Sequence, residues 1–321
     1  MFDTTNLIKT LQNIFPNEKN ITLHEPEFAG NEWTYVKECL DTGWVSSVGK
    51  FVDRFEKDLA SFTGVKKAVA VCNGTAALHV CLKLADVEAG EEVLVPTLSF
   101  IATAIAVHYC AATPHFVDSD DTTLGVDPVK LEAYLRESTT IKNGFCFNRK
   151  TGKRIKALVV MHTFGHPCHI ESLLELCERY HLTLIEDAAE SMGSFYKGKH
   201  TGHWGKVSAL SFNGNKTMTS GGGGALLTND EALGARAKHI TTTAKKPHAW
   251  EFDHDEIGFN YRLPNINAAL GCAQLEQLPA FIERKRKLAE TYAGEFEKIE
   301  GVRFFKEPTH AKSNYWLNAL L

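Results

Sequence analysis

Residues 66–84 read KKAVAVCNGTAALHVCLKL, and this stretch indicates the fold class. The apolar run from Ala68 to Cys72 has the length of a buried strand, and the turn Asn73-Gly74 leads into a helical pattern that begins at Thr75. The same order of strand, turn and helix recurs along the chain as far as LTLIEDAAE at 182–190. Because these strands are nearly continuous apolar runs, we expect helices on both faces of the sheet. The repetition predicts a three-layer α/β/α domain with a mainly parallel sheet.

The pattern changes near residues 250–280 and predicts two domains. The large domain is expected to span residues 1–255, including the N-terminal segment, and a smaller C-terminal α+β domain to span residues 256–321. Other predicted elements are helices over 4–15, 31–42, 51–62, 266–277 and 278–299, a hairpin or insertion loop over 141–155, and strands at VRFF and YWLNALL. Because the chain stops inside the apolar run NYWLNALL, we expect the small domain to continue beyond Leu321.

The composition excludes several function classes. The 321 residues are 44% hydrophobic and 23% charged with a net charge of −4, so no overall basic field attracts nucleic acid. No apolar run reaches the roughly 18 residues that span a bilayer, and the N-terminus lacks the features of a signal peptide. The eight cysteines are scattered without a CxxC pair, as in reduced proteins. These features predict a cytoplasmic protein with no nucleic-acid or membrane partner.

A second stretch, SALSFNGNKTMTSGGGGALLT at 208–228, carries the candidate catalytic group. Two apolar runs flank a polar turn with Lys216 and four glycines, Gly221–Gly224, so we expect two strands joined by a tight loop that presents this lysine. A lysine held in a closed pocket loses hydration, which lowers its pKa and makes the amine nucleophilic. The alternative from this stretch alone is a solvated loop lysine.

Further candidate residues stand where predicted strands end. Asn73-Gly74-Thr75 opens a helix, whose first N–H groups suit a phosphate. Phe100 could stack on a planar ring or belong to a core, and Asp187 could pair with a protonated ring nitrogen or cap the next helix. Ser211 lies five residues before Lys216. Because ligands of such sheets lie at the carboxyl ends of the strands, the set predicts a site for a flat, phosphorylated, nitrogen-containing ring bound to lysine, which describes pyridoxal 5′-phosphate.

At this point the chain resembles the DegT/DnrJ/EryC1/StrS aminotransferases, a family of fold type I pyridoxal phosphate enzymes with the aspartate aminotransferase-like fold. The resemblance covers almost the whole chain. The matching stretches are CNGTAAL at 72–78, VPTLSFIAT at 95–103, HTFGHP at 162–167, EDAAES at 186–191, LSFNGNK at 210–216, the glycines at 221–224 and GFNYRLPNINAALG at 258–271.

The resemblance implies a role for each matching residue. Lys216 would form the internal aldimine and later shuttle a proton between cofactor and sugar. Asp187 would keep the pyridine nitrogen protonated, and Phe100 would stack on the ring. The residues implied to hold the phosphate are Gly74, Thr75 and Ser211.

Two more implied cofactor contacts extend to a second subunit. Glu190 stands near the ring hydroxyl, where relatives often have glutamine or histidine. Asn260 matches an asparagine that reaches the neighbouring subunit's phosphate. The resemblance therefore implies a homodimer with shared sites, and a C₂ dimer would bury the loop 241–265 against the partner.

The family implies a ping-pong reaction in which L-glutamate gives its amino group to the cofactor and a nucleotide-linked 4-keto-6-deoxy sugar receives it. The motifs WVSSVGK, EDAAES and SFNGNK resemble those of enzymes that aminate UDP-4-keto-6-deoxy-N-acetylglucosamine. That reaction is a step in the synthesis of bacillosamine or legionaminic acid, which belongs to glycan biosynthesis. The alternatives are a GDP- or dTDP-linked keto sugar, a pyridoxal phosphate-dependent sugar dehydratase, and a pyridoxal phosphate-binding regulator without turnover. Dehydrating relatives have histidine in place of the lysine, so Lys216 favours transamination.

Two further sets of residues invite a functional interpretation. The loop GWVSSVGK at 43–50 combines small residues with an aromatic, and we expect Trp44, Ser46 and Ser47 to line the sugar side of the pocket; the alternative is a surface connection. A histidine- and cysteine-containing stretch at 162–169 could suggest a metal. Its residues lie on a strand end and loop without a carboxylate ligand, so we expect no metal there.

Overall fold

The computed structural model describes residues 4–18, 20–248 and 250–321. The α-helices are α1 (Thr5–Ile14), α2 (Glu32–Thr42), α3 (Lys50–Thr63), α4 (Gly74–Leu84), α5 (Ile101–Tyr109), α6 (Pro128–Ser138), α7 (Ile170–Arg179), α8 (Glu231–Thr241) and α9 (Asn265–Phe296). The strands are β1 (Lys67–Val71), β2 (Glu92–Pro96), β3 (Thr113–Val117), β4 (Thr139–Lys142), β5 (Phe145–Asn148), β6 (Arg154–Met161), β7 (Thr183–Asp187), β8 (Phe195–Tyr196), β9 (Lys199–His200), β10 (Val207–Ser211), β11 (Gly224–Thr228) and β12 (Ala311–Lys312). Within the part of the chain described, no helix is long and apolar enough to cross a membrane.

The main sheet is mostly parallel, as predicted. Its order is β1-β11-β10-β7-β6-β2-β3, and β10, β7, β6, β2 and β3 pair in parallel. Strand β11 runs antiparallel to both of its neighbours, so Gly224 at its start lies beside Ser211 at the end of β10 and Val71 at the end of β1. The carboxyl ends of the parallel strands and the start of β11 therefore meet at one edge.

Helices cover both faces of this sheet. Helices α4, α5 and α8 pack on one face in a core that includes Leu78, Val107 and Ile240. Helices α3 and α9 cover part of the other face around Phe55 and Cys272, and α6 and α7 cover the rest. Neighbouring residues of each buried strand point to opposite cores, which explains the continuous apolar runs in the sequence.

The two helices predicted over 266–277 and 278–299 form one helix, α9, with Pro279 inside it. A proline removes one backbone hydrogen bond and usually bends or ends a helix. Here Leu278 and Ile282 on either side of the proline are buried in the same core against α2 and α3. Tertiary packing therefore keeps the helix continuous where the local pattern predicted a break.

The C-terminal strands predicted at VRFF and YWLNALL are reduced to a short ladder. Phe304 and Leu320 form an isolated antiparallel bridge, and Arg303 and Leu321 exchange two backbone hydrogen bonds of 2.7 and 2.8 Å. The ladder closes a small core that contains Phe296 and Tyr315. By contrast, the hairpin predicted within 141–155 is confirmed, because β4 and β5 pair antiparallel. The domain division between residues 255 and 256 stays a prediction.

Candidate active site

A cavity of about 280 Å³ opens at the edge where the parallel strands end. It brings together residues that are up to 243 positions apart, the separation of Asn73 and Trp316. The predicted residues that line it are Gly74, Thr75, Phe100, Asp187, Glu190, Ser211 and Lys216. Each stands at a strand end or in the turn after it, so the sheet topology places them together.

The end of the cavity at α4 is a close-packed backbone cradle. A Cβ atom added to Gly74 would lie 2.9 Å from Cβ of Ser211, and one added to Gly224 would lie 2.6 Å from the carbonyl oxygen of Asn73. The side chain of Asn73 caps α4 by accepting from the Ala76 amide at 2.8 Å. The amides of the first helical turn have no acceptor within the helix, so they can bind an anion together with the helix dipole.

Asp187 is fixed at the end of β7, where its side chain is 2% exposed. The hydroxyl of Thr103 donates to Oδ2 of Asp187 at 2.7 Å, and the Ala189 amide donates to Oδ1 at 3.2 Å. Burial raises the pKa of Asp187, and these hydrogen bonds and the Lys216 ammonium oppose that rise. A cationic partner in the cavity would stabilise the ionised carboxylate.

Lys216 has the environment that a reactive amine requires. Its Nζ lies 3.5 Å from Oε1 of Glu190 and 3.9 Å from the centre of the Trp316 ring, and its side chain is only 13% exposed. Burial lowers the pKa of Lys216, while the carboxylates of Glu190 and Asp187 raise it in opposition. Burial in turn raises the pKa of Glu190. The structure therefore places Lys216 in the pocket and excludes the solvated-loop alternative.

Thr103, Trp316 and Asn314 are among the residues of this site that were not predicted from the sequence. Thr103 follows Phe100 by three positions in α5, and this spacing was the available signal for it. Trp316 lines the cavity and donates from its indole Nε1 to the Asn215 carbonyl at 2.6 Å. The fully buried Asn314 accepts from the Trp316 amide at 2.8 Å and donates to the Glu190 carbonyl at 3.0 Å. No local pattern in the C-terminal segment indicates these contacts.

The predicted substrate loop lies outside this cavity within one chain. Trp44 is 58% exposed and lines a different cavity, of about 440 Å³, with Asn265. Asn265 holds the loop, because its side chain donates to the Trp44 carbonyl at 2.6 Å and its amide donates to the Ser46 carbonyl at 2.6 Å. Ser46 is exposed and Ser47 half-buried.

Asn260 also lies outside the cavity of its own chain. It is exposed, bridges Thr242 and accepts from Nε of Arg262 at 3.1 Å. Its exposed side leaves room for the contact with a neighbouring subunit, which stays a prediction.

The histidines at 162–169 have structural surroundings. His162 and Glu186 are fully buried and their side chains meet at 3.0 Å. The backbone amide of Cys168 donates to Nδ1 of His162 at 3.2 Å. Because Nδ1 accepts, Nε2 of His162 carries the proton and donates to Glu186. His166 is buried between the edges of Phe305 and Tyr315. Among the residues described, no group of three or more histidine, cysteine or acidic side chains could hold a metal ion.

The cavity fits pyridoxal 5′-phosphate. The cradle between Gly74 and Ser211 offers amides and a hydroxyl for a phosphate, at a point where added side chains would clash. Asp187 supplies a buried carboxylate for a ring nitrogen, and Lys216 supplies an amine for the aldehyde. Phe100, which is 63% exposed, offers a free ring face.

The comparisons with known proteins agree with this geometry. A model of the DegT/DnrJ/EryC1/StrS aminotransferase family matches residues 26–321. GDP-perosamine synthase of Escherichia coli O157:H7 is 40% identical over 303 residues, which are 94% of this chain and 78% of that protein. GDP-perosamine synthase of Vibrio cholerae is 38% identical over 306 residues, or 94% of this chain and 77% of that protein. The crystal structure of the aminotransferase TlmJ from Streptoalloteichus hindustanus has a TM-score of 0.84 at 29% identity and covers 94% of this chain and 78% of its own.

Proposed function

Because this chain belongs to the DegT/DnrJ/EryC1/StrS aminotransferase family, we propose that it transfers the amino group of L-glutamate to a GDP-linked 4-keto-6-deoxy sugar. The enzyme class and cofactor are those predicted: it is a pyridoxal phosphate-dependent nucleotide-sugar aminotransferase with the fold type I architecture. We place it in the cytoplasm, in glycan biosynthesis. The observation that carries the proposal is the convergence of seven predicted residues on one cavity around Lys216.

The names of the relatives support GDP rather than UDP as the nucleotide. The sequence motifs predicted UDP-linked 4-keto-6-deoxy-N-acetylglucosamine as the main substrate. By contrast, two relatives at 40% and 38% identity are GDP-perosamine synthases. The GDP-linked alternative therefore becomes the main proposal. The UDP-linked sugar of bacillosamine or legionaminic acid synthesis becomes the second candidate.

Each residue of the cavity has its own role in the proposed reaction. When bound, pyridoxal phosphate supplies an aldehyde that condenses with amines and a ring that accepts electrons. Asp187 would hold a proton on the ring nitrogen through its buried carboxylate, which Thr103 fixes. Lys216 would act as the base and acid that moves a proton beside the ring, with Glu190 as its nearest carboxylate. Gly74, Thr75 and Ser211 would hold the phosphate, and Phe100 would stack on a ring face.

We also propose a homodimer in which Asn260 of each subunit completes the partner's site. The segment around Asn260 exposes Trp250, Phe252 and Ile257, which are 86%, 73% and 87% exposed in the single chain. Apolar side chains clustered in one loop are typical of a subunit interface. In such a dimer the exposed loop with Trp44 could reach the sugar side of the partner's cavity.

An absorbance experiment tests the proposal. The enzyme with bound cofactor is expected to absorb in the visible violet and to bleach on addition of glutamate. A panel of GDP-, UDP- and dTDP-linked keto sugars is then added, and the GDP-linked sugar is expected to restore the absorbance and to gain an amine by mass spectrometry. The variant Lys216→Ala is expected to lose the glutamate response.

Each rival function predicts a different outcome. A dehydratase would show no glutamate-dependent change, and a regulator would show a bound chromophore but no amine on any sugar. Restoration by the UDP-linked sugar alone would overturn the choice of nucleotide and leave the aminotransferase class intact. A protein that stays colourless and unreactive with added cofactor would overturn the whole proposal.

A further inference from the structure

A second cavity, of about 190 Å³, lies against the same loop that carries Lys216. The loop contributes Lys216 and Thr217 to its wall, and the segment 24–27 forms a second side. Helix α9 forms a third side. The α9 residues at the wall are Gln274, Phe281, Arg284, Lys285 and Leu288. The cavity therefore adjoins the candidate active site and, apart from Lys216, is lined by residues that have no part in the proposed reaction.

Lys285 brings a positive charge into this cavity without a carboxylate partner. Its ammonium donates to Nδ1 of His24 at 3.1 Å and to the carbonyl oxygen of Trp316 at 3.1 Å. Within residues 4–18, 20–248 and 250–321, no carboxylate forms an ion pair with it. The adjacent Arg284 is already neutralised by the Glu27 carboxylate.

The balance of charge favours an anion at this position. Burial lowers the pKa of Lys285 to about 8, so the group is mostly an ammonium at neutral pH. Burial and the nearby Lys285 charge lower the pKa of His24 to about 4, so this histidine is neutral and its Nδ1 accepts from the Lys285 ammonium. A buried cation without a counter-ion is costly, and an anion in the cavity would offset that cost.

The contacts of Trp316 connect this charge to the reacting amine. The carbonyl of Trp316 accepts from Lys285, while its ring lies 3.9 Å from Nζ of Lys216. One residue therefore separates the unpaired ammonium from the active-site lysine. Lys216 itself lines both cavities, so an anionic group in the second cavity would lie beside the loop that carries the reacting amine.

We propose that this cavity binds an oxyanion of a substrate, with the Lys285 ammonium as its counter-ion. The inference rests on the proposed function, whose two substrates both carry such groups: the carboxylates of glutamate and the diphosphate of the nucleotide sugar. The apolar surfaces of Phe281 and Leu288 suit the uncharged part of either molecule. Lys285 is then a binding residue for the substrate rather than a structural one.

Calorimetric titration of the enzyme with bound cofactor separates the two sources. The probes are glutarate, a dicarboxylate that cannot donate an amine, and GDP. Lys285→Met is expected to weaken the binding of at least one probe by about 10- to 100-fold, the usual effect of losing a hydrogen bond to a charged group. The matched control Lys287→Met removes an exposed lysine of the same helix and is expected to bind both probes as the wild type does.

Each result of the calorimetric titration either supports or overturns the inference. Weaker binding of glutarate alone, of GDP alone or of both supports the site and identifies the oxyanion, provided that the melting temperature does not fall, the cofactor content is unchanged and Lys285→Arg restores binding. Unchanged affinity for both probes overturns the inference, as does a wild-type enzyme that binds neither. Loss of binding that follows loss of stability, without rescue by arginine, also overturns it. Failure of the proposed function appears separately, as wild-type enzyme that binds the probes but transfers no amine from glutamate.

Discussion

The hydroxyl of Thr103 donates a hydrogen bond to Oδ2 of Asp187 over 2.7 Å, and the two residues are 1% and 2% exposed. Ser99 in turn donates from its hydroxyl to that of Thr103 at 2.9 Å. The Thr103 proton is committed to the carboxylate, because an ionised carboxylate can only accept, and the Thr103 oxygen is therefore available to accept from Ser99. This relay joins the start of α5 to the end of β7 and fixes the orientation of Asp187.

Replacing this hydroxyl is expected to slow the reaction with glutamate. In Thr103→Val the shape is kept, but the hydrogen bond that lowers the pKa of Asp187 is lost, so that pKa rises further. A carboxylate with a higher pKa takes the proton from the ring nitrogen more readily, so less of the ring stays protonated, and the rate of glutamate-dependent bleaching is expected to fall by about tenfold or more. Stopped-flow absorbance measures this rate. An unchanged rate would show that the relay does not support Asp187. The control Thr291→Val, at an exposed hydroxyl on α9, is expected to leave the rate unaffected.

The pair Glu190 and Lys216 predicts a pH effect with a defined sign. Burial lowers the pKa of Lys216, and the Glu190 carboxylate opposes this effect by favouring the ammonium. In Glu190→Gln the opposing charge is gone, so the pKa of Lys216 falls further and the amine is free at lower pH. We expect the pH midpoint for cofactor uptake by the apoenzyme to move down.

Absorbance titrations of the two apoenzymes across pH measure this shift. The difference is expected only above the pKa of Glu190, because a protonated Glu190 is as uncharged as glutamine. Glu283→Gln, at an exposed position on α9, serves as the control. A midpoint that stays in place or moves up in Glu190→Gln would contradict the electrostatic role of Glu190.

The lowered pKa of Lys285 predicts that the free energy of unfolding of the protein changes with pH. Its pKa is about 8 in the folded protein and 10.5 ordinarily, so between these values the unfolded chain binds more protons and the free energy of unfolding rises with pH. Its contribution is therefore least favourable below pH 8. His24, whose pKa is lowered to about 4, stays neutral across this range and does not add to the change.

Lys285→Met removes this titration. Its free energy of unfolding relative to the wild type is expected to be most favourable at pH 7 and to decline above pH 8, by up to about 1.4 kcal/mol per pH unit. Urea unfolding at pH 7 and pH 9.5 measures the difference, with Lys287→Met as the control variant. If the free energies of unfolding of Lys285→Met and the wild type differ by the same amount at both pH values, burial of the Lys285 ammonium does not destabilise the folded protein.

The local pattern of the sequence was sufficient to predict the strand ends and therefore most of the residues that line the candidate cofactor cavity. Asn73-Gly74 and Asp187 each follow a buried apolar strand, and the two strands end at the same edge of the sheet. Lys216 was ambiguous by itself, and the candidate residues at the other strand ends favoured the prediction that it is catalytic. The continuity of α9 through Pro279 depended on tertiary packing that no local pattern reports.

Contacts between distant segments were not predictable in the same way. Trp316 reaches Asn215 over 101 positions, and Asn314 holds the Glu190 carbonyl over 124. Asn314 also constrains Gly165, where an added Cβ would lie 1.9 Å from its side-chain oxygen. Such contacts depend on how the C-terminal segment folds back over the site, and a single asparagine or tryptophan in the sequence does not indicate that.

The last prediction concerns the proposed dimer and its exposed apolar loop. Ile257 is 87% exposed in the single chain and lies three residues before Asn260, so a subunit interface at this loop would bury it. Ile257→Asp would place a charge in that interface, where desolvation is costly, and is expected to convert the dimer to monomers. Because Asn260 would then no longer reach the partner's site, cofactor content is expected to fall together with the dimer. Sedimentation velocity and the absorbance of the bound cofactor measure the two effects.

The control Val129→Asp changes a 76% exposed apolar residue on α6 and is expected to stay dimeric and fully loaded with cofactor. A dimer that survives Ile257→Asp would place the interface elsewhere, and monomers that keep their cofactor would show that Asn260 is not needed to hold it.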